Sequence, residues 1–169
     1  MTSHRFSLAL LLSLALSLGI SATAEDASKN IANPADVLTG IPRDVLKDLR
    51  PGTKAMSDAC TKATAAIRKN VEGKTASFKM TLKSVNKFQA REAPDVTRYK
   101  LVGVVSKMRE SGVMFDVHLM AVPDVSEEAK IAKLSAGSKI TVTGMIGNAE
   151  VIGHQYTELH IDIKDVKVN

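Results

Sequence analysis

The pattern of apolar and polar positions changes its period once along the chain, near Gly73. Upstream, apolar residues recur every three or four positions over 36–49 and again over 54–71, which is typical of amphipathic helices. Gly40 and Pro42 interrupt the first stretch, so it predicts two short helical pieces. The second stretch predicts one longer helix that ends at Gly73. Downstream, apolar and polar residues alternate, as in strands with one buried face.

The alternating region predicts five strands and one short helix. The predicted strands cover residues 76–83, 98–108, 113–122, 140–146 and 159–168. A helix capped by Ser126 and ending at Ala136-Gly137 separates the third strand from the fourth. The stretches 86–97 and 147–156 are predicted to be loops. A change of phase at Asp165 predicts a bulge or a strand end there.

Three strands, a short helix and two more strands is the order of elements in the five-stranded OB-fold. The segment KATAAIRKNVEGKTASFKMTLKSV (62–85) resembles the opening of the tRNA-anti-like group of bacterial OB-fold domains, where a helix runs through a Gly-Lys step into the first strand. LSAGSKITVTGMIG (134–147) and IDIKDVKV (161–168) resemble the second half of that group. The resemblance covers about 59–168 and implies nucleic-acid binding by analogy of fold alone. The expected fold class is mostly β with helices (α+β): an OB-fold-like Greek-key barrel preceded by an N-terminal helical segment.

The first residues indicate export. Arg5 precedes an apolar run over 6–20 that is shorter than the ~20 residues of a membrane span, and Ala22-Thr23-Ala24 fits the small-x-small cleavage rule. An uncleaved anchor is the less favoured alternative. The expected organisation is a signal peptide (1–24), a flexible leader (25–35), a helical segment packing on the barrel (36–73) and an OB-fold-like barrel (74–169). No transmembrane segment is predicted after cleavage, so a periplasmic or secreted bacterial protein is expected.

The composition requires the domain to be stabilised by packing. Cys60 is the single cysteine, so an internal disulfide is excluded, and tryptophan is absent. Cys60 lies on the apolar face of the longer predicted helix. A buried small hydrophobic side chain is therefore favoured over a reactive thiol.

The positive charge is concentrated in the middle of the chain. The net charge is +5, and residues 76–121 carry eight Lys and Arg against four acids. OB-folds commonly bind oligomers on strands two and three and on the loops between strands one and two and strands four and five. The candidate ligand-binding residues are Lys79, Lys83, Lys87, Arg91, Arg98 and Lys100.

The first three of these lysines all occupy odd-numbered positions of strand one. Alternate residues of a strand point to the same side, so these lysines are expected on one face. A solvated lysine face that only keeps the sheet soluble is the favoured alternative. Single-strand binders also need exposed aromatic side chains for stacking. Tyr99 and Phe115 share parity with core residues, so the stacking surface is not evident from the sequence.

The polar face of strand five and the motif content of the chain bear on metal binding and catalysis. Glu158, His160 and Asp162 alternate on one face of strand five, a spacing that can bring ligands to a metal, with His154 and His118 elsewhere. A polar outer face is favoured, so neither a metal nor a cofactor is expected. The sequence has no nucleophile elbow, no glycine-rich phosphate loop and no paired Cys/His arrangement, so an enzyme is not expected.

These observations favour a non-enzymatic exported OB-fold binding module. Its partner could be nucleic acid, another polyanion or an envelope protein. The alternative is a structural or protein–protein interaction domain of the cell envelope that acts through its N-terminal helices, 36–71. The sequence leaves the ligand and the oligomeric state open.

Overall fold

The computed structural model describes residues 30–91 and 93–169. The predicted signal peptide and the first part of the predicted leader, 25–29, lie outside the described residues. Within the described ranges, no helix is both long and apolar enough to span a membrane.

Three helices precede the sheet: α1 (Pro34–Val37), α2 (Arg43–Asp48) and α3 (Met56–Val71). The two short pieces and the longer helix match the predicted elements. The buried face of α3 consists of Met56, Ala59, Ala63, Ile67 and Val71, spaced by three and four positions as a helical stripe requires. Gly73, with φ +78°, follows α3 and supplies the left-handed residue that turns the chain into the first strand.

Five strands form a closed barrel in the order β1-β2-β3-β5-β4. Their bounds are β1 (Thr75–Ala90), β2 (Ala93–Glu110), β3 (Val113–Pro123), β4 (Lys139–Gly153) and β5 (Thr157–Val168). The β3–β5 pair is parallel and the other pairs are antiparallel. A 3-10 turn (Val125–Glu127) and a short helix, α4 (Glu128–Ile131), lie between β3 and β4. The predicted OB-fold-like Greek-key barrel is confirmed.

Alternating apolar side chains fill the barrel, because each strand turns every second residue inward. On β3, the inward residues Val113, Phe115, Val117, Leu119 and Ala121 are all buried. Tyr99 and Phe115 are in the core, as predicted. At Asp165 φ is +52°, and Val166 and Val168 are buried beyond it, so the predicted change of phase is confirmed.

Helix α3 packs on β4. The Thr64 hydroxyl accepts a hydrogen bond from the backbone N–H of Val151 at 3.0 Å, and Arg68 donates to the carbonyl of Ala149 at 3.3 Å. The buried Thr157 hydroxyl donates to the carbonyl of Leu49, just after α2, at 2.7 Å. These contacts join the helices to the β4–β5 side of the barrel. On the hairpin side, the Tyr99 hydroxyl of β2 donates to the carboxylate of Glu128 in α4 at 3.2 Å.

The predicted loops over 86–97 and 147–156 were wrong. β1 continues to Ala90 and β2 starts at Ala93, with Lys87 paired to Tyr99, and β4 continues to Gly153. Over 86–97 strand pairing persists although few residues bury a side chain, so the apolar alternation that marks a strand is missing. Over 147–153 the buried Ala149 and Val151 do alternate, but the glycine and asparagine residues beside them indicate a turn.

The predicted helix between β3 and β4 was also misplaced. The residue that caps the turn is Asp124, whose carboxylate accepts a hydrogen bond from the backbone N–H of Ser126 at 2.8 Å. Helix α4 ends at Ile131, short of the predicted Ala136-Gly137.

Candidate functional site

A β-bulge in β1 decides which basic side chains lie on the same face. Leu82 pairs with Gly103 and Ser84 pairs with Val102, so Lys83 is an extra residue in the strand. An extra residue shifts the inside–outside alternation by one position. The parity of β1 is therefore different on the two sides of Lys83.

The predicted shared face of Lys79, Lys83 and Lys87 was wrong for this reason. Lys79 alternates with the buried Phe78 and Met80 and is exposed on the outer face. Beyond the bulge, Lys87 pairs with Tyr99, whose ring is buried. The ammonium of Lys87 lies 5.5 Å from the centroid of that ring, a cation–π contact. Lys87 therefore packs on the inward side of the hairpin.

The outer face of the β1–β2 hairpin carries two cross-strand pairs. Phe88 is opposite Arg98, and Asn86 is opposite Lys100. Directly opposite residues share a face, with Cβ atoms about 5 Å apart. Phe88 is 37% exposed and Arg98 is exposed beside it. This set of four side chains is called the hairpin face below.

The remaining basic candidates are distributed around the hairpin face. Lys83, in the bulge, is close to His118 on β3: burial lowers the pKa of that imidazole, and the Lys83 charge adds a smaller lowering. Arg91 is exposed in the turn between β1 and β2. Lys79 lies further along β1, opposite Thr141 of β4. The structure thus brings Arg98, Lys100 and the bulge lysine together on the outer surface of β1 and β2. Lys79 is also on the outer face but lies beside β4, and Lys87 lies on the inward side.

The structure adds residues that the sequence reasoning did not select. Arg109 is exposed at the far end of the outer face of β2, opposite the exposed Met114. Lys107 lies between Lys100 and Arg109 along β2 and forms an ion pair with Asp116 at 3.3 Å. Tyr156, 65% exposed, lies in the turn between β4 and β5. The outward positions of both residues depend on bulges, at Lys83 in β1 for Phe88 and at Val105 in β2 for Arg109, so simple alternation in the sequence gives neither.

The two aromatic side chains lie at opposite ends of the β2–β3 surface. Phe88 is near the hairpin turn, where β2 begins beside the end of β3 (Leu101 pairs with Ala121). Tyr156 immediately precedes Thr157, which pairs with Phe115 near the start of β3. An extended ligand that crossed β2 and β3 would meet an aromatic side chain at each end.

A second cluster lies on the outer face of β3 and β5. The parallel register places His118 opposite His160 and Asp116 opposite Glu158. One ligand atom from each of His118, Glu158 and His160 lies within 4.8 Å of the others. Nε2 of His160 is 2.6 Å from Oε2 of Glu158. The structure therefore joins His118 to two of the predicted residues, whereas Asp162 and His154 are not in the cluster.

Burial and hydrogen bonding adjust the acidity of this cluster. Burial, with a smaller effect from the Lys83 charge, lowers the pKa of His118 and favours its neutral imidazole. The hydrogen bond from His160 lowers the pKa of Glu158 and favours its carboxylate. Near neutral pH the cluster thus offers a neutral imidazole and an anionic oxygen.

Cys60 is half-buried on α3 and packs against the core. Burial raises the pKa of its thiol. The thiolate that reactive cysteines require is therefore disfavoured, in agreement with a structural side chain.

Comparison with known proteins gives likeness of fold. No protein-family model matches the chain, and no curated protein matches it. Among solved structures, the chain is similar to a small single-stranded DNA-binding protein from Streptomyces coelicolor, with a TM-score of 0.38, 10% identity, and 57% of this chain and 93% of that chain covered. It is also similar to a lipoprotein from Klebsiella pneumoniae described as a candidate nucleic acid-binding protein, with a TM-score of 0.42, 17% identity, and 71% and 99% covered. At these values neither likeness tells what this chain binds.

Proposed function

We propose that this chain is an exported, non-enzymatic OB-fold module that binds single-stranded nucleic acid on the outer face of the β1–β2 hairpin. The observation that carries the proposal is the hairpin face itself, where exposed Phe88 lies directly opposite exposed Arg98. Proteins that bind single strands combine cations that follow the phosphates with aromatic rings on which bases stack. The pair supplies one of each within reach of a single nucleotide.

Neighbouring side chains extend this chemistry along the surface. Lys100 and Asn86 form the next outer pair, Lys83 lies in the adjacent bulge, and Arg91 is in the turn. Lysine and arginine contact phosphate, while an asparagine amide can both donate to and accept from a base edge. The surface is therefore suited to a nucleic acid rather than to a polyanion without bases.

The position of the surface supports the same ligand. OB-folds commonly bind oligomers on strands two and three and on the turns that flank them. Here the hairpin turn and the turn that carries Tyr156 bracket β2 and β3, and Arg109 lies near the second turn. A strand that entered at Phe88 would reach a second cation and a second aromatic ring.

The alternative, an interaction domain acting through its N-terminal helices, has less support. The apolar face of α3 packs inside the chain, with Met56 and Ile67 buried. Both would have to be exposed to serve as contacts for a partner. The export part of the proposal rests on the predicted signal peptide, and the non-enzymatic part on the lack of a catalytic motif in the sequence.

The test is fluorescence anisotropy of a labelled single-stranded oligonucleotide, measured over a series of salt concentrations. We expect binding at low salt that weakens as salt rises. Replacing Arg98 and Lys100 by Gln should make the slope of log K against log[salt] shallower by about 1.4, because each phosphate contact on a single strand contributes about 0.7.

Gln at Lys62 and Lys69, both exposed on α3, is the matched control and should leave the slope unchanged. Two results would overturn the proposal. One is no binding by the unchanged protein at low salt. The other is equally tight binding of polyphosphate, which would show a charged surface that does not read bases.

A further inference from the structure

We propose that His118, Glu158 and His160 form a binding site for a divalent metal ion of the zinc class on the outer face of β3 and β5. Two imidazoles and one carboxylate are a donor set that zinc binds in three-ligand sites, which keep a further position for water. The inference is independent of the proposed nucleic-acid binding.

The parallel pairing of β3 and β5 creates the cluster. His118 and His160 are register partners, and their ring centroids are 5.1 Å apart. Glu158 precedes His160 by two residues, so it lies on the same face of β5. Strands of the closed barrel hold all three Cα atoms, so the backbone keeps the donors together without a metal.

The distances allow a metal after small side-chain rotations. The three donor atoms lie within 4.8 Å of one another, whereas donors on one tetrahedral zinc are about 3.4 Å apart, given zinc–nitrogen bonds of about 2.1 Å. Glu158 and His160 now share a contact of 2.6 Å between oxygen and nitrogen, and would separate to admit the ion. Their side chains are 33% and 31% exposed, so they have room to turn.

The neighbouring charged residues leave the Glu158 carboxylate available to bind a metal ion. Asp116, opposite Glu158, pairs with Lys107 at 3.3 Å, and Glu150, opposite His160 on β4, lies 3.6 Å from Arg68. In the described ranges, Glu158 is hydrogen-bonded to His160. A metal ion would replace that hydrogen bond, and the carboxylate and the imidazole would become ligands of the same ion.

Space for a further ligand lies beside the histidines. A cleft of about 140 Å³ is lined by residues that include Val102, His118, Met120, His160 and Asp162. A water or a small anion in this cleft could complete the coordination.

The test is isothermal titration calorimetry, in which zinc chloride is added to the protein. The protein is purified from cells that express the full chain. We expect saturable binding of one ion per chain, and cobalt chloride should give the visible absorption of a cobalt–imidazole site. His118→Ala and His160→Ala should each remove both signals, and Glu158→Gln should weaken binding while preserving the volume of the side chain.

His154→Ala is the control, because His154 is exposed in the turn after β4 and outside the cluster. It should bind zinc as tightly as the unchanged protein. Urea unfolding without metal checks that each variant is folded, and Glu158→Gln keeps the test decisive if a histidine variant fails to fold. No saturable binding, binding that survives all three substitutions, or binding lost in His154→Ala would each overturn the site.

Discussion

The β1–β2 hairpin and the β3–β5 pair lie on one barrel, yet their outer faces carry different chemistry. The hairpin face combines Arg98 and Lys100 with an exposed aromatic ring, whereas the β3–β5 face combines two imidazoles with a carboxylate. Both strand pairs bury aliphatic and aromatic side chains inside. The difference therefore resides entirely in the residues that alternate with the core.

The two faces are also created in different ways. A bulge at Lys83 sets which residues of β1 face outward, whereas the histidines meet through a parallel pairing that exists only when the barrel closes. Substitutions on the outer faces should accordingly change binding with little effect on folding. Substitutions on the inner faces should do the reverse.

The largest effect, a loss of unfolding free energy, is expected for Leu101→Ala. Leu101 is fully buried in β2, and truncation of such a leucine costs about 2–5 kcal/mol of unfolding free energy. Its neighbour Lys100 points outward, so Lys100→Ala should change stability by less than about 0.5 kcal/mol while it weakens oligonucleotide binding. Urea unfolding of both variants measures the contrast. Equal destabilisation by the two would contradict the assignment of the faces.

A smaller effect is expected for Phe88→Ala on oligonucleotide affinity. Loss of one stacked base costs about 1–3 kcal/mol of binding free energy. Met145→Ala is the matched control, because Met145 is an exposed apolar side chain (41%) on β4, opposite Thr75 at the end of β1 far from the hairpin turn. Anisotropy titrations compare the two. If both variants bind equally well, Phe88 is not a stacking residue.

The smallest effect concerns Glu127, whose carboxylate accepts hydrogen bonds from Lys130 and from the backbone N–H of Val168 at the end of β5. The Lys130 hydrogen bond, then that of Val168, lowers its pKa below the ordinary value of 4.5. Its contribution to stability is therefore fully present above pH 4.5 and is lost as pH falls through the lowered pKa. Urea unfolding should show Glu127→Gln less stable than the unchanged protein at pH 7, with the gap narrowing in acid. A gap that is constant with pH would contradict this role.

The core and the fold could be predicted because one buried face leaves a periodic signal. Phe78, Val117 and Ile161 alternate with polar residues as a half-buried strand requires, and the stripe on α3 has helical spacing. The hairpin beyond Val85 buries few side chains, so the same signal is absent and the strands were predicted to be a loop. The alternation of apolar and polar residues arises from contact with a core. It therefore does not reveal a strand that extends beyond the core.

The candidate sites were harder to predict because they depend on register. The residues around Lys83 give no local sign of a bulge, so Lys87 was assigned to the wrong face. Nothing in the sequence shows that His118 and His160 become neighbours, since β3 and β5 are separated by a whole strand and a helix. Only the closure of the barrel brings them together.

The most direct test of the central claim, that the β1–β2 hairpin binds single-stranded nucleic acid, is a series of amide NMR spectra recorded as an unlabelled oligonucleotide is added. We expect shifts concentrated at residues 83–91 and 98–100, extending along β2 toward Arg109 and the turn at Tyr156. The amides of α3 should not move. Shifts confined to α3 or to the β4–β5 side, or no shifts at low salt, would contradict it.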